Sequence, residues 1–512
     1  MKIKSIILPV FILLKFILSY YLISSEYDLH RDEYLHLDQA NHLAWGYLSV
    51  PPVTSWISWL IKLLGNAVFW VKFFPALFGA LTMLIVWKAI EELKGNLFSQ
   101  ILGVTCVLFS SLLRLNLLYQ PNSLDVLCWT VFYFILIKYV HSENKKWIFI
   151  GAFIFAIGFL NKYNFAFLLI GLLPALILSK QRKVFLRKEF YLALLVGFIL
   201  VLPNLVWQYT HSFPVFHHLK ELAETQLVNV NRWDFLKEQL LFFIGGLFVI
   251  ILSLVAFWAY EPFKKFKFFF WALFFTLGVF VFLKAKGYYA IGLYPIYLAF
   301  GSVYLSHILA NGWKRYLKPV ALAIPVLFFI PIYRIAFPNK SPQFIMEHSK
   351  PYEKFGLLRW EDGKNHSLPQ DFADMLGWKE LAEKVENSYN NLPADENTFI
   401  LCDNYGQAGA INYYVKNKNI IAVSFNADYL NWFNLDTKID NFIRVKELGG
   451  SESEIAETGP YFETATFVGE VTNSLAREYG TKIFVFKNPK IDVNKKLNKE
   501  VEKEIFESRI DF

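Results

Sequence analysis

Long apolar stretches fill the first two-thirds of the chain and restrict what it can fold into. A helix that crosses the hydrocarbon core of a bilayer needs roughly 20 mainly apolar residues. Eleven such stretches precede residue 338, and the first is interpreted as an uncleaved helix because many others follow it. They are residues 5–24, 68–90, 97–115, 122–140, 146–160, 163–179, 190–208, 237–259, 267–284, 288–309 and 317–337. The sequence therefore predicts a polytopic α-helical membrane protein with about 11 transmembrane helices.

Charged residues are concentrated after the last apolar stretch. This change divides the chain into a transmembrane domain, residues 1–337, and a water-soluble domain, residues 338–512. Runs of β-branched and aromatic residues between helices predict a small α/β fold for the second domain. Its expected elements are an amphipathic helix near 371–390, strands near 398–402, 420–424 and 482–486, and a charged surface helix or disordered tail at 490–512.

Basic residues recur in alternate loops between the apolar stretches. Cytoplasmic loops carry an excess of Lys and Arg, so this alternation predicts the orientation. The inside groups are Lys88, Lys94, Lys138, Lys145, Lys146, Lys180, Arg182, Lys183, Arg187, Lys188, Lys264, Lys265, Lys267, Lys314, Arg315 and Lys318. With the N-terminus in the cytoplasm, the loops 25–67 and 209–236 and the C-terminal domain face outward. We therefore predict a location in the cytoplasmic (inner) membrane.

Net charge and cysteine content exclude two classes of function. A net charge of +8 would suggest a nucleic-acid partner in a soluble protein. Because the basic groups follow the topology of the loops, no nucleic acid is expected here. The chain has three cysteines, Cys106, Cys128 and Cys402, two of them in apolar stretches. Neither a disulfide framework nor a cysteine-rich metal site is expected.

The first outward loop carries an acidic pair, Asp32 and Glu33, directly after the first apolar stretch. One interpretation is a helix N-terminus, where acidic residues are favoured by the helix dipole. The other is a functional carboxylate pair at the membrane surface. Helical spacing through residues 39–46 further predicts an amphipathic helix lying on the membrane. Pro51-Pro52 would end that helix.

Ionisable residues near membrane depth are costly and are candidates for function. Lys162 and Lys286 lie on the outward side, against the charge bias, whereas Arg114 is interpreted as a side chain that reaches toward water. Lysines together with Tyr288 and Tyr289 could bind a lipid phosphate, because an ammonium supplies charge and a tyrosine hydroxyl supplies a donor. Asp125, near the outward end of the fourth stretch, is a further candidate.

Two other patterns give weaker signals. His211, His217 and His218 do not match zinc-ligand spacing. Residues 403–410 follow a β-like run and precede a predicted helix, which is a geometry that can bind an anion. That segment lacks the glycine pattern and the lysine of nucleotide-binding loops.

Several motifs resemble the C-type glycosyltransferases, in particular bacterial members of the protein O-mannosyltransferase and aminoarabinose-transferase group. They cover nearly the whole chain in order. The motifs are Arg31-Asp-Glu-Tyr34, His42-Leu-Ala-Trp-Gly46, Pro51-Pro52, Lys72-Phe-Phe-Pro75, Gly158-Phe-Leu-Asn-Lys162, Leu202-Pro-Asn-Leu-Val-Trp-Gln208, Lys286-Gly-Tyr-Tyr289, Tyr294-Pro295 and Gly406-Gln-Ala-Gly-Ala-Ile-Asn-Tyr-Tyr414.

This resemblance implies transfer of a sugar from a polyprenyl phosphate to a hydroxyl acceptor outside the cytoplasmic membrane, with inversion. The acceptor would be an envelope lipid, glycan or protein. Asp32 would be the catalytic base, with Glu33 also catalytic. Lys162, Lys286, Tyr288 and Tyr289 would bind the leaving phosphate. A divalent cation, Mg or Mn, held by Asp32, Glu33 and Asp125 would also neutralise the charge of the leaving phosphate.

Asn161 departs from the threonine that relatives often carry before the lysine, and the run 424–429 is only loosely family-like. The sequence also leaves alternatives open. A transporter or lipid flippase suits the many spans, but the internal repeats common in transporters are absent. A polysaccharide polymerase or ligase would share the setting and the donor. A membrane scaffold with an outer binding domain is a further possibility.

Overall fold

The computed structural model describes residues 2–225 and 227–510, and its larger part is a helical bundle. The helices of this part are α1 Lys2–Tyr21, α2 Arg31–Asp38, α3 Val53–Leu63, α4 Val68–Glu92, α5 Leu97–Leu108, α6 Leu112–Leu115, α7 Asn122–Ser142, α8 Lys146–Asn161, α9 Phe165–Ile177, α10 Lys188–Thr210, α11 Pro214–Thr225, α12 Arg232–Leu241, α13 Leu247–Ala259, α14 Lys267–Phe282, α15 Tyr294–Ile308 and α16 Lys318–Ile335. Each predicted apolar stretch coincides with one helix or with two that adjoin.

Six helical segments of the described residues are long and apolar enough to cross a membrane, or eight if each of two bent pairs counts as one span. The six are Val68–Glu92, Asn122–Ser142, Lys188–Thr210, Glu261–Phe282, Gly287–Ile308 and Gly312–Ile335. Shorter apolar helices cover Ile6–Tyr21, Leu97–Leu108 and Lys146–Asn161. The polytopic helical architecture is confirmed, whereas the number of about 11 spans stays a prediction.

Helix α15 lies at the centre of the bundle, and α10 and α16 lie at its edge. In the apolar window around α15, 83% of the residues are buried, against 22% for α10 and 17% for α16. Leu194, Leu195 and Phe198 of α10 are all more than half exposed. A broad exposed apolar surface indicates contact with membrane or protein, and here it surrounds a buried polytopic core.

The C-terminal part is a small α/β domain. Its helices are α17 Pro342–Glu347, α18 Lys350–Lys354, α19 Gln370–Ala373, α20 Trp378–Asn390, α21 Tyr405–Tyr414, α22 Glu454–Thr458 and α23 Val493–Ile510. Its strands are β1 Thr398–Cys402, β2 Ala422–Ser424, β3 Asn441–Lys446, β4 Phe462–Glu470 and β5 Lys482–Pro489. They form one sheet in the order β2-β1-β3-β5-β4.

The sheet is parallel on one side and antiparallel on the other. β1 pairs in parallel with β2 and β3, and β5 pairs antiparallel with β3 and β4. The predicted α/β fold is confirmed, with β1, β2 and β5 at the expected places and α20 within the predicted helix. β3 and β4 were not predicted. The charged run at 490–512 forms α23 as far as residue 510.

The first long loop, residues 25–67, and the C-terminal domain share one hydrophobic core. Leu29, Tyr34, Leu35 and Leu37 of the loop pack in the same cluster as Trp378, Leu381, Ala408 and Ile411 of the domain. Two glycines of α21 permit the close approach. A Cβ at Gly409 would lie 2.8 Å from Tyr34 Cβ, and one at Gly406 would lie 2.6 Å from Arg31 Cγ. The domain is therefore built onto the loop.

The predicted amphipathic helix through residues 39–46 is wrong. α2 ends at Asp38, and a short 3-10 helix covers Gln39–Asn41. The 3-10 helix faces the C-terminal domain, and Gln39 donates to Asp428 of that domain at 2.8 Å. The amphipathic helix of this loop is α3, which buries Val53, Thr54, Ser55, Ser58 and Ile61 and exposes Trp56, Trp59, Leu60 and Leu63. Helical spacing alone could not show which segment the domain covers.

Candidate active site

Helix α2 begins at Arg31, directly before the acidic pair, and His30 caps it. His30 Nδ1 accepts a hydrogen bond from the backbone N–H of Asp32 at 3.2 Å. Glu33 Oε2 accepts in return from the backbone N–H of His30 at 2.7 Å. This reciprocal capping satisfies two backbone donors that a helix N-terminus leaves free. The helix-terminus interpretation of the acidic pair therefore holds for Glu33.

Glu33 is fully buried and has all of its partners inside the protein. Lys72 Nζ of α4 donates to its two carboxylate oxygens at 2.8 and 2.7 Å. The backbone N–H of Tyr119 donates at 2.6 Å. A buried carboxylate is stable only when it is paired and hydrogen-bonded, and Glu33 meets both conditions. It joins α2 to α4 and to the 116–121 loop.

Asp32 points the other way, and its side chain is 37% exposed. Gln120 Nε2 donates to its Oδ2 at 2.9 Å, and the Tyr405 hydroxyl donates to its Oδ1 at 2.7 Å. Because a carboxylate has about four acceptor positions, these two bonds leave room for a further donor. Asp32 is therefore held from two sides and still accessible to an incoming hydroxyl.

The surroundings of Asp32 favour its ionised form. Burial acts to raise the pKa of this carboxyl, while His30, the hydrogen bond from Tyr405, and Arg31 act to lower it. His36 acts in the same direction, and the result is a pKa below the ordinary value. Asp32 is thus a carboxylate at neutral pH, which is the form that can accept a proton.

Tyr405 comes from the first turn of α21 in the C-terminal domain. The Arg31 guanidinium lies 4.3 Å from the centroid of its ring, and such a stacked cation holds an aromatic side chain in place. Asn404 caps α21 by accepting from the backbone N–H of Gln407 at 3.0 Å. Sequence reasoning missed Tyr405 and Gln120 as site residues, although it had singled out residues 403–410, which contain Tyr405.

Lys162 lies at the turn between α8 and α9, beside the two predicted tyrosines. Its Nζ donates to Asn122 Oδ1 at 2.5 Å and lies 5.1 Å from the ring of Tyr288 and 4.5 Å from that of Tyr289. Asn161, the departure from the family pattern, donates to the Pro121 carbonyl at 2.9 Å. The asparagine therefore fixes the neighbouring loop and leaves Lys162 in position.

Lys286 precedes the 3-10 helix Gly287–Leu293, which carries both tyrosines. Its Nζ lies 3.2 Å from Glu361 Oε1 of the C-terminal domain, in a half-exposed ion pair. A Cβ at Gly287 would lie 1.8 Å from Glu238 Oε2, so a larger residue at this turn would have to displace the Glu238 side chain. The structure thus brings Lys162, Tyr288 and Tyr289 together, with Lys286 next to them in the chain.

Asp125 is buried and pairs with neutral donors. Trp129 Nε1 donates to it at 2.9 Å, and Asn164 Nδ2 donates at 3.1 Å. The same Asn164 amide donates to the Tyr289 carbonyl at 2.9 Å. Asn164, which lies in the Lys162 turn, therefore connects Asp125 of α7 to the tyrosine turn.

The three carboxylates predicted to hold a divalent cation do not form a joint ligand set. Glu33 is occupied by an ammonium and two backbone donors, and Asp125 by an indole and an amide. Among the residues that the structure describes, no three Asp, Glu, His or Cys side chains form a group that could hold a metal ion. These residues as arranged do not fit Mg or Mn, and metal binding by Asp32, Glu33 and Asp125 stays a prediction.

The glycine-containing turn at 403–410 has acidic rather than anion-binding surroundings. Asp403 pairs with Arg444 and accepts from the Glu447 backbone N–H at 2.9 Å. Asn404 Nδ2 donates to the carboxylates of Glu447 and Glu478. The turn instead presents Tyr405 to the first loop, which gives this family-typical segment a role in the site.

Comparisons with known proteins show which proteins the chain resembles. Residues 49–207 match the family model described as dolichyl-phosphate-mannose-protein mannosyltransferase. The lipid A galacturonosyltransferase RgtD of Rhizobium johnstonii is 24% identical over 210 residues, 40% of this chain. The chain spans 43% of the length of this curated relative.

Two solved structures share the fold. Both are of ArnT from Cupriavidus metallidurans, and both give a TM-score of 0.60 at 11% sequence identity. The structure bound to undecaprenyl phosphate matches over 93% of this chain and 97% of ArnT. The apo structure matches over 94% and 98%.

Fold and site together define a multi-pass membrane protein with a C-terminal α/β domain, whose accessible aspartate lies near a cluster of lysine and tyrosine. The chain is thus similar in part of its sequence to glycosyltransferases, and it shares the fold of ArnT.

Proposed function

We propose that the protein is an inverting glycosyltransferase that moves a sugar from a polyprenyl-phosphate donor to a hydroxyl of a lipid, glycan or protein. One observation carries the proposal. Asp32 is 37% exposed and held by two donors, and its surroundings lower its pKa, which suits a general base. Similarity to the mannosyltransferase family model and to RgtD supports the reaction class, and undecaprenyl phosphate bound to ArnT supports the type of donor.

The proposed reaction has one chemical step. Asp32 takes the proton of the acceptor hydroxyl as the acceptor oxygen attacks the anomeric carbon. The new glycosidic C–O bond forms while the C–O bond to the phosphate breaks, and its electron pair leaves with the polyprenyl phosphate. Attack opposite the phosphate inverts the anomeric centre. The proton then passes from Asp32 to water.

The leaving phosphate gains negative charge, and stabilising such charge is often the largest catalytic contribution. Lys162, Tyr288 and Tyr289 form one cluster that can receive it. Lys286 is the fourth member, and its half-exposed pair with Glu361 can open toward a phosphate. No step runs through a metal ion, because the carboxylates do not form a ligand set.

An apolar groove supports a lipid-linked donor. It has a volume of about 620 Å³ and lies between α9 and α14, lined by residues such as Ile170, Phe274 and Gly278. One of its ends is formed by Phe167 and Phe282, which lie within a few residues of Lys162 and Lys286 in the chain. A polyprenyl tail in this groove would place its phosphate at the cluster. This arrangement also suits the proposed orientation, with Asp32 and the C-terminal domain outside the cytoplasmic membrane.

The test is a transfer assay with purified protein in detergent. A panel of radiolabelled polyprenyl-phosphate sugars serves as donors and membrane extract as acceptor. Wild type is compared with Asp32→Asn and with Asp436→Asn, an exposed control in the C-terminal domain. We expect transfer by wild type and by the control, and a fall of about 10²- to 10⁴-fold in Asp32→Asn, which is the range for a general base.

The products separate the alternatives. A single added sugar supports the proposal, whereas an extended or ligated polysaccharide points to a polymerase or ligase. If all three proteins move the lipid across a bilayer and none transfers sugar, the chain acts as a flippase and the proposal is wrong. Equal transfer by wild type and Asp32→Asn would reject Asp32 as the base.

A further inference from the structure

Two neutral amide side chains connect the phosphate cluster to the carboxylate. Lys162 Nζ donates to Asn122 Oδ1 at 2.5 Å, and Asn122 Nδ2 donates to Gln120 Oε1 at 2.9 Å. Gln120 Nε2 then donates to Asp32 Oδ2 at 2.9 Å. These three hydrogen bonds therefore link the Lys162 ammonium to the Asp32 carboxylate without interruption, and each of them is donated in the direction of Asp32.

The two charged ends determine how the amides are oriented. An ammonium can only donate, so Asn122 must turn its oxygen to Lys162 and its NH₂ to Gln120. A carboxylate can only accept, so Gln120 must turn its NH₂ to Asp32. Both requirements give the same orientation for both amides. Flipping either one would place oxygen against oxygen or NH₂ against a donor.

The loop that carries these amides is held on each side. The backbone N–H of Tyr119 donates to Glu33 at 2.6 Å, and the Pro121 carbonyl accepts from Asn161 at 2.9 Å. Farther along, Asn116 Nδ2 donates to Ser123 Oγ at 3.0 Å. Asn116 in turn accepts from Lys15 Nζ of α1 at 2.8 Å. A supporting shell of this kind keeps a reactive group in its productive geometry.

We propose that Gln120 and Asn122 are positioning residues that orient the carboxylate of Asp32 and link it to the lysine that receives the donor phosphate. This inference rests on the proposed glycosyl transfer. Gln120 acts on the chemical step, because it fixes the oxygen that is to take the acceptor proton. Asn122 acts on donor binding as well, because it directs the ammonium of Lys162. Linked hydrogen bonds in a water-poor site also strengthen one another.

Two isosteric substitutions separate these effects. Gln120→Glu replaces the NH₂ by an oxygen that repels Asp32, so we expect kcat to fall about 10- to 100-fold, the effect of one hydrogen bond to a charged group. The affinity for polyprenyl phosphate should be unchanged. Asn122→Asp places a carboxylate against Lys162, where it competes with the phosphate. We expect that variant to raise KM for the donor about tenfold and to lower kcat too.

A matched control is Gln100→Glu, since Gln100 Nε2 also donates to a carboxylate, that of Glu91, at 3.1 Å in another part of the bundle. Its kcat and KM should equal those of wild type. Gln120→Met removes the donor without adding charge and should reproduce the loss of kcat. Polyprenyl-phosphate affinity and thermal stability in detergent are measured for every variant.

The outcomes distinguish this inference from the proposed function. Transfer by wild type with unchanged kcat in Gln120→Glu and Gln120→Met overturns the positioning role and leaves the proposed function standing. A joint loss of kcat, affinity and thermal stability in those variants assigns Gln120 a structural role and also overturns it. Absence of transfer by wild type rejects the proposed function itself.

Discussion

Replacing Glu33 by glutamine tests whether this carboxylate is structural or catalytic. Three groups donate to it, namely the Lys72 ammonium and the backbone N–H groups of Tyr119 and His30. A glutamine has one oxygen that can accept from these donors, and its NH₂ group faces the donors that the second carboxylate oxygen had bound. Removing one partner of a buried ion pair costs about 3–5 kcal/mol. At about 2 °C per kcal/mol, Tm should fall by about 6–10 °C.

The assay is thermal unfolding in detergent, alone and with polyprenyl phosphate, beside the transfer rate at a temperature where the variant is folded. We expect a large loss of stability in Glu33→Gln and a much smaller loss of kcat. Lys72→Met should be destabilising as well. The variant that carries both substitutions should lose less stability than the two single variants added together, by about 0.5–3 kcal/mol. Asp234→Asn breaks an exposed pair with Lys237 and should cost less than about 1 kcal/mol.

A different pattern would refute this reasoning. If Glu33→Gln kept the Tm and the lipid affinity of wild type but lost transfer, Glu33 would be a catalytic group. The two neighbouring carboxylates would then both take part in the chemistry, as the sequence alone predicts.

Three further predictions concern the cluster, the base and the domain contact. Lys162→Met should weaken binding of polyprenyl phosphate at least tenfold in a direct binding assay, because the ammonium nearest both tyrosine rings is lost. The pKa of Asp32 lies below its ordinary value of 3.8, so the rate should not fall through protonation of the base until the pH drops below about 4. Tyr405→Phe removes one interaction that lowers this pKa, so the acid limb of the pH–rate profile should move upward. Gly409→Ala places a Cβ 2.8 Å from Tyr34 and should cost about 1–3 kcal/mol in thermal unfolding, whereas Gly449→Ala, with open space around it, should not.

The helical part of the fold could be predicted because its cause is local. A bilayer demands continuous apolar segments, and each of the predicted stretches coincides with a helix. The missed strands lack such a signal. β4 is an edge strand with most of its residues exposed, and β3 ends in the alternating run Arg444-Val-Lys446. Neither strand has the continuous apolar run that identified β1.

The residues of the candidate site likewise fall into those that the sequence could show and those that it could not. Asp32 and Lys162 could be singled out because a charge near a membrane is costly and needs a reason. Gln120 and Tyr405 carry no such cost, and their partner Asp32 lies 88 and 373 residues away along the chain. Neutral side chains that act across such separations become visible only when the chain is folded. The amphipathic segment was misplaced for a related reason, since the C-terminal domain covers residues 39–41 and leaves α3 exposed.

The short helix α2 shows why the bundle and the C-terminal domain form one site. Successive residues of a helix point about 100° apart, so three neighbours contact three different surroundings. Glu33 is bound by the bundle through Lys72, and Tyr34 packs in the core of the C-terminal domain. Asp32 precedes these two residues and receives one hydrogen bond from each part, from Gln120 and from Tyr405. The orientation of the carboxylate therefore depends on both parts, and a displacement of either one changes the group proposed to take the acceptor proton.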